Sequence, residues 1–363
     1  MCDRRFQRKQ SCVCKPLTNC KCESCCWLAM QATAPLRYMK RVDAREIPHG
    51  ANEIRGFLVV RNEMLRLPST LCHHRSLGVR RFFALDNGST DGTLDYLCGE
   101  PDVHVFSTSS SYAESNYGVA WTNELLNAFG NGHWTLTIDA DEQFIFPHFE
   151  RIKLSQFCGF LDSIGAEAVP CLLLDMYPGV AIRDATHDPV HPLLETCNYF
   201  DRAPYQMRRT NHCPYFEISG GVRKRMFVQN HAQFHPPSIS KVPLVRWKLG
   251  MQFISSTHYL SDVKLAPLLA TLLHFKFLSD FHERAQTEVA RGEHYENARE
   301  YRIYLQMCRE NEGATLLCDQ SSKFKDSAQL VGLGLMTNPK PYEDWAQAML
   351  VRHGSTRELA EAI

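Results

Sequence analysis

Four short apolar segments predict the strands of a sheet in the first half of the chain. They span residues 56–60, 81–85, 102–106 and 134–138. The first two are continuous apolar runs, which are typical of strands buried on both faces of a sheet. In the last segment, large apolar residues alternate with Thr135 and Thr137, which is the two-residue period of a strand.

Segments with helical spacing separate these strands. Pro68 and Gly78 suit the first turn and the C-terminal cap of a helix between the first two strands. Residues 113–130 carry large side chains at every fourth position, which predicts an amphipathic helix. The alternation of strands and helices predicts an α/β fold with a mostly parallel, Rossmann-like sheet and helices on both of its faces.

The second half of the chain is less regular. Residues 168–175 predict a further strand, and residues 178–245 predict long loops over the edge of the sheet. Leucine and tyrosine recur with helical spacing from 262 to 311, and residues 342–351 predict a last helix. We therefore expect the C-terminal part to be helical.

Composition and charge narrow the class of protein. The 40 basic and 40 acidic residues balance, so the net charge does not indicate a nucleic acid or a membrane surface as a partner. No apolar run approaches the roughly 20 residues that span a bilayer. The basic N-terminus is not followed by an apolar signal segment. These features predict a cytoplasmic protein without a transmembrane span.

The cysteines are unevenly distributed. Seven of the 15 lie in the first 26 residues, and within that cluster only Cys22 and Cys25 have the spacing of a zinc knuckle. The cluster is either a zinc site or part of a poorly ordered segment, and we favour the second for residues 1–52, with one short helix near 27–31. The ordered domain is then expected to start near Glu53. The other eight cysteines are expected to be reduced, buried thiols.

The fourth predicted strand leads into three carboxylates. Asp139 and Asp141 are two residues apart, so in an extended backbone their side chains point to the same side. They repel each other unless a cation lies between them. Mg²⁺ and Mn²⁺ prefer oxygen ligands and keep positions open for phosphates. The alternative is a solvated acidic turn.

Two further polar clusters follow predicted strands. Residues 61–63 read Arg-Asn-Glu, and residues 86–87 read Asp-Asn. In α/β sheets, ligands bind at the carboxyl ends of the parallel strands, so we expect both clusters to lie beside Asp139 and Asp141. Farther along, Gly220 and Gly221 precede Arg223 and Arg225. This segment is either a phosphate contact or a tight hairpin turn with a solvated basic strand.

These motifs, in this order, resemble family 2-like glycosyltransferases of the GT-A fold. The resemblance is carried by Val-Arg-Asn-Glu at 60–63, His-His at 73–74, Asp-Asn-Gly-Ser-Thr-Asp-Gly-Thr at 86–93 and Asp-Ala-Asp-Glu at 139–142. It covers about residues 54–147 and is strongest with bacterial members whose Asp-x-Asp motif reads Asp-Ala-Asp-Glu. It implies a GT-A domain over 53–260, with a nucleotide-binding half (54–147) and an acceptor-side half (148–260), before a helical region over 261–363.

The resemblance implies transfer of a sugar from a nucleotide-diphosphate donor to the hydroxyl of a saccharide or glycoconjugate acceptor. Surface polysaccharide or glycoconjugate synthesis is the implied process, with peripheral association with the inner membrane. The implied cofactor is Mn²⁺ or Mg²⁺, with Asp141 as the firmer ligand and Asp139 shared with the nucleotide. One histidine adds a ligand, either His258 or His274, although each also suits a hydrogen-bonded core histidine. The implied donor contacts are Arg61, Asn62, Glu63, Asp86, Asn87, Asp91, Asp139, Arg223, Arg225 and Lys276.

The chemistry of such a transfer agrees with these residue types. A departing diphosphate is stabilised by a metal ion and by Arg or Lys. An inverting enzyme also needs a carboxylate to deprotonate the acceptor, whereas a retaining enzyme does not. The candidates for this base are Asp175, Glu195, Asp201 and Glu217, with Asp175 and Glu217 put first. The alternative functions are a metal-dependent phosphohydrolase and a non-catalytic relative that binds a sugar or a protein partner.

Overall fold

The computed structural model describes residues 36–360, apart from residues 49, 51–52, 231–236, 311–312 and 314. One compact unit begins at Tyr38. The N-terminal cysteine cluster and the predicted helix near 27–31 lie outside the described residues.

A nine-stranded sheet forms the centre of this unit. Its strands are β1 (Lys40–Arg41), β2 (Ile54–Val60), β3 (Arg81–Asp86), β4 (Val103–Ser107), β5 (Trp134–Thr137), β6 (Glu142–Ile145), β7 (Ala168–Asp175), β11 (Ser240–Arg246) and β12 (Ala270–His274). They lie in the order β1-β4-β3-β2-β5-β11-β7-β12-β6. Strands β2, β3, β4, β5, β7 and β12 run in one direction, and β1, β6 and β11 run in the other. The predicted α/β class with a mostly parallel sheet is therefore confirmed.

Smaller strands and the helices surround the sheet. Strand β8 (Tyr199–Asp201) pairs with β13 (Ser321–Lys323), and β9 (Tyr205–Arg209) pairs with β10 (Phe216–Gly220). The helices are α1 (Leu67–Leu77), α2 (Thr93–Gly99), α3 (Val119–Phe129), α4 (Leu154–Ser163), α5 (Leu193–Thr196), α6 (Gly221–Asn230), α7 (Phe281–Arg291), α8 (Tyr295–Glu310), α9 (Ser327–Gly332) and α10 (Lys340–Ala360). A short 3₁₀ turn, Ile182–Asp184, lies between β7 and α5.

The predicted strands and helices of the first half are present, with changed bounds. Helix α1 carries proline in its first turn and ends at Gly78, whose φ of 108° is left-handed, as its sequence predicts. Helix α3 begins at Val119 rather than near residue 113. Asn116, Tyr117 and Gly118 have positive φ, so the backbone before Val119 cannot be helical.

Three predictions outside this region are wrong. Residues 178–245 are not long loops, because they include strands β8 to β11 and helices α5 and α6. Residues 270–274 form the buried strand β12, between β7 and β6, and not a helix. A short run of leucines buried on both faces has no period that separates a strand from a helix. The described fold also begins before Glu53, because β1 pairs with β4 and Asp43 accepts a hydrogen bond from the backbone N–H of Val105 at 2.7 Å.

The segment after Gly220 and Gly221 is also helical. Arg223 and Arg225 lie on α6 and pair with Asp175 and Asp201, so the expectation of a tight hairpin turn with a solvated basic strand is wrong for this segment. The eight cysteines described are free thiols. Four of them are buried, but Cys72 is exposed and Cys98, Cys308 and Cys318 are half-buried, so the expectation that all eight are buried is wrong. Within the described ranges, the helices lack the length and apolar character needed to cross a membrane.

Candidate functional site

The carboxyl ends of the parallel strands surround a cleft with a cavity volume of about 160 Å³. Seven residues expected from the sequence line it: Arg61, Glu63, Asn87, Asp139, Asp141, His274 and Lys276. They follow or end strands β2, β3, β5 and β12, which run in the same direction. The separate polar clusters of the sequence therefore meet at one edge of the sheet.

The acidic segment of this cleft is a turn rather than a strand. Strand β5 ends at Thr137, and the backbone N–H of Glu142 donates to the carbonyl of Asp139 at 3.1 Å. The Glu142 carboxylate closes the turn by accepting from the N–H of Asp139 at 3.0 Å. Because the backbone turns, Asp139 and Asp141 have different cationic partners. The prediction that an extended backbone directs both carboxylates towards one cation is wrong, because the backbone turns here.

Asp139 is paired with a buried lysine that the sequence analysis does not single out. Lys241, on β11, lies with its Nζ 2.8 Å from Asp139 Oδ2 and 2.5 Å from Glu142 Oε1. Burial favours the neutral amine, but the two carboxylates raise the pKa of Lys241 above its ordinary value. Burial and the nearby charge of Asp139 raise the pKa of Glu142 to about 7. The Asp139 side chain stays 57% exposed, so it remains open to the cleft.

Asp141 faces His274, at the end of β12. Asp141 Oδ2 lies 3.3 Å from His274 Nε2, and both side chains are less than a tenth exposed. On the other side of the ring, His274 Nδ1 lies 2.6 Å from Asp175 Oδ1. Arg223 Nη2 also donates to Asp175 Oδ1, at 2.6 Å. Burial lowers the pKa of His274, but Asp141 and Asp175 outweigh it and raise the pKa above its ordinary value, so the ring can donate to both carboxylates. Binding of a metal at Nε2 would displace the proton there, while Nδ1 keeps its bond to Asp175.

This geometry fits a divalent ion. Two neighbouring ligands of an octahedral ion, each about 2.1 Å from it, are about 3.0 Å apart. The distance of 3.3 Å between Asp141 Oδ2 and His274 Nε2 is close to that value. A carboxylate with an imidazole suits Mn²⁺ better than Mg²⁺, which prefers oxygen ligands. Over the part of the chain described, no group of three or more His, Cys, Asp and Glu side chains is placed to hold a metal.

Cations from the C-terminal part form the opposite wall of the cleft. Arg284, on α7, makes an ion pair with Glu63, with Nη1 at 2.9 Å from Oε2. Arg291, also on α7, donates to Asn87 Oδ1 at 2.9 Å. Lys276 lines the cleft with its Nζ 5.3 Å from the centre of the Tyr301 ring. Of these cations, only Lys276 is predicted from the sequence.

Three residues predicted to contact the sugar donor, Asn62, Asp86 and Asp91, instead stabilise the loop that follows β3. Asn62 Oδ1 accepts from the N–H of Thr90 at 2.7 Å. Asp91 accepts from the N–H groups of Met64 and Thr93, both at 3.0 Å. Asp86 is buried and accepts from the N–H groups of Gly88 and Ser89, at 3.0 and 3.1 Å. Its second oxygen, Oδ1, is buried without a hydrogen-bond partner among the described residues.

The remaining predicted residues lie away from the cleft or behind it. Asp175 and Arg223 form a buried ion pair behind His274, and Asp201 and Arg225 form a second pair, with Arg225 Nε at 2.8 Å from Asp201 Oδ2. Arg208 Nη2 donates to Glu217 at 2.7 Å, and Glu195 is exposed. His258 Nδ1 donates to the carbonyl of Ser240 at 2.6 Å, and burial lowers the pKa of His258 to about 4. Besides Asn62, Asp86 and Asp91, the residues predicted for the site that do not line the cleft are therefore Asp175, Glu195, Asp201, Glu217, Arg223, Arg225 and His258.

Comparison with known proteins does not indicate a function for this cleft. No protein-family model matches the chain, and no curated protein matches it. An inference about function therefore depends on the cleft and on the sequence motifs that form it.

Proposed function

We propose that the chain is a metal-dependent glycosyltransferase of the GT-A type. It would move a sugar from a nucleotide-diphosphate donor to the hydroxyl of a saccharide or glycoconjugate acceptor, in surface polysaccharide or glycoconjugate synthesis. The observation that supports this most is the pair of Asp141 and His274, with ligand atoms 3.3 Å apart, at the carboxyl ends of parallel strands. Ligands of open α/β sheets bind at that edge.

Asp141 and His274 would hold the ion, and donor phosphates would complete its coordination. Sites of this kind bind the metal through one or two carboxylates and substrate phosphates. When bound, the ion supplies charge that stabilises a departing diphosphate. Arg284 and Lys276 add positive charge on the opposite wall, where it is partly shielded from water. Asp139 is open enough to accept a hydrogen bond from a ribose hydroxyl.

Asp175 would act through His274 rather than on the acceptor. Burial alone raises the pKa of Asp175, but Arg223 and His274 hold it below its ordinary value, so it is ionised and accepts the Nδ1 proton. For an inverting reaction, the acceptor base would come from a carboxylate that lines the cleft. Besides Asp139 and Asp141, the described carboxylates there are Glu63 and Glu288.

A metal-dependent phosphohydrolase receives less support. A two-metal hydrolase needs a dense group of His and Asp ligands. Across the described ranges such a group is not found, and the two ligands at the cleft suit a single ion. A non-catalytic relative would share the donor site but would not turn the donor over.

Thermal unfolding with a panel of nucleotide sugars, each with and without Mn²⁺, tests the proposal. A ligand that binds only the native state raises Tm. We expect at least one nucleotide sugar to raise Tm only when Mn²⁺ is present, and that donor to be consumed when saccharide acceptors are added. A Tm shift without consumption of the donor would favour the non-catalytic relative. No shift with any donor would overturn the proposal.

A further inference from the structure

A second, larger cavity lies apart from the cleft. Its volume is about 520 Å³, within the range of about 300–1,000 Å³ that is usual for small-molecule sites. The described residues that line it and those that line the cleft have no member in common. The two cavities therefore offer two distinct binding places.

Part of the wall of this cavity is apolar and includes flexible methionine side chains. Ile182, Met226, Met307, Leu316 and Leu317 line it. Methionine side chains are flexible and polarisable, so they adapt to ligands of irregular shape. Met226 and Leu316 are themselves buried, at 3% and 8% exposed, which makes this part of the wall part of the packed fold.

The polar part of the lining is basic. Three arginines reach the cavity from three segments: Arg183 from the 3₁₀ turn, Arg225 from α6 and Arg309 from α8. His282 adds an imidazole, and the described lining contains no carboxylate. Arg225 is fixed by its ion pair with Asp201 and by a hydrogen bond from Nη2 to the carbonyl of Leu316 at 2.9 Å. Arg225 is already paired with Asp201, whereas Arg183 and Arg309 are exposed at the cavity. Guanidinium groups beside an apolar wall favour anions, especially phosphate and carboxylate.

We infer that this cavity binds an amphipathic anion, with a hydrocarbon body and a phosphate or carboxylate head. The apolar wall would take the hydrocarbon body, since removal of apolar surface from water is favourable. The arginines would bind the head. The inference does not depend on the proposed transfer reaction, because it uses none of the cleft residues.

Thermal unfolding of the full chain with three twelve-carbon probes tests this inference. The probes are dodecyl phosphate, dodecanoate and dodecanol, each below its micelle-forming concentration. We expect a saturable rise in Tm with at least one anion and a smaller rise or none with dodecanol. A larger effect of dodecyl phosphate would point to lipid phosphates, and a larger effect of dodecanoate to fatty acids. Equal shifts with dodecanol, or no shift with either anion, would overturn the inference.

Two variants locate the effect in the cavity. Leu317→Trp should narrow the cavity and weaken the Tm shift, because Leu317 lines the cavity and is 37% exposed. Leu333→Trp is the matched control, since Leu333 is 38% exposed and is not a lining residue. Arg309→Gln should weaken binding of the anions, with Arg208→Gln as its control on an exposed arginine. Anion shifts that stay unchanged in Leu317→Trp would overturn the inference.

Discussion

The Nδ1 atom of His274 lies 2.6 Å from Oδ1 of Asp175, so a carboxylate at the end of one strand orients the imidazole at the end of the next. This contact leaves Nε2 for Asp141. Outer carboxylates of this kind fix the tautomer of a histidine ligand and raise its basicity. The contact therefore predicts a role for Asp175 in metal binding.

Asp175→Asn should weaken Mn²⁺ binding by about 10- to 100-fold, the usual effect of losing an outer partner of a histidine ligand. Isothermal titration with Mn²⁺ measures the change. Asp201→Asn is the matched control, because Asp201 is also a buried carboxylate that is paired with an arginine. Circular dichroism should first confirm that both variants fold. Equal Mn²⁺ affinity in wild type and Asp175→Asn would contradict the positioning role.

Asp141→Ala should abolish metal-dependent turnover of the nucleotide sugar. The metal supplies several kcal/mol of charge stabilisation, and a loss of that size lowers the rate by about 1,000-fold or more. Initial rates of donor consumption, measured against Mn²⁺ concentration, give the effect. Asp319→Ala serves as a control at an exposed carboxylate. If Asp141→Ala retained the wild-type Mn²⁺ dependence, Asp141 could not be the metal ligand.

Lys241→Met should destabilise the fold. It leaves the buried Glu142 carboxylate, and Asp139 beside it, without their cation. Removal of one partner of a buried ion pair costs about 3–5 kcal/mol. Urea unfolding measures the free energy, and the double variant Lys241→Met/Glu142→Gln should recover part of the loss. A single variant as stable as wild type would show that the ion pair does not stabilise the turn.

Asp43 should make stability depend on acid pH. Burial raises its pKa, but hydrogen bonds from Arg41 and from the N–H groups of Val105 and Arg45 outweigh that effect and lower the pKa from 3.8 to about 2. Because the folded pKa lies below the unfolded one, the stabilisation is complete above about pH 4 and is lost as pH falls towards 2. By linkage it is worth about 2 kcal/mol at neutral pH.

The variant Asp43→Asn tests this pH dependence. It should lower the free energy of unfolding at pH 7 by about 2 kcal/mol, and the difference from wild type should shrink as pH falls from 4 to 2. Urea unfolding at each pH gives the two curves. A difference that is independent of pH would show that the hydrogen bonds to Asp43 do not act through its charge. Asp319→Asn, at an exposed position, should follow wild type throughout.

The sequence predicts the acidic half of the cleft well. Asp139, Asp141 and Glu63 each follow a predicted parallel strand, and the rule for parallel sheets then brings them to one edge. The sequence cannot show which predicted polar residues reach solvent. Asp91 has the same side chain as Asp141, yet its oxygens satisfy backbone N–H groups of its own loop.

The cationic half of the cleft is harder to predict because its contacts are far apart in the chain. Arg284 pairs with Glu63 across 221 positions, and Lys241 pairs with Asp139 across 102. No local pattern marks either side chain, since a lysine in an apolar strand and an arginine on an amphipathic helix are both common on solvated surfaces. The sequence predicts a helix where the strand that carries His274 lies, because leucines buried on both faces of a strand have no two-residue period.

The position of β11 in the sheet has a consequence for synthesis of the protein. This strand lies between β5 and β7, although more than 100 residues separate it from β5 in the chain. During translation, β2 to β5 leave the ribosome long before β11 has been synthesised. One side of β5 therefore stays an open edge until residues 240–246 emerge. Such distant pairing slows folding, and the edge invites aggregation in the meantime. The two proposed metal ligands, Asp141 and His274, would meet only after His274 has also been made, so any metal would bind late.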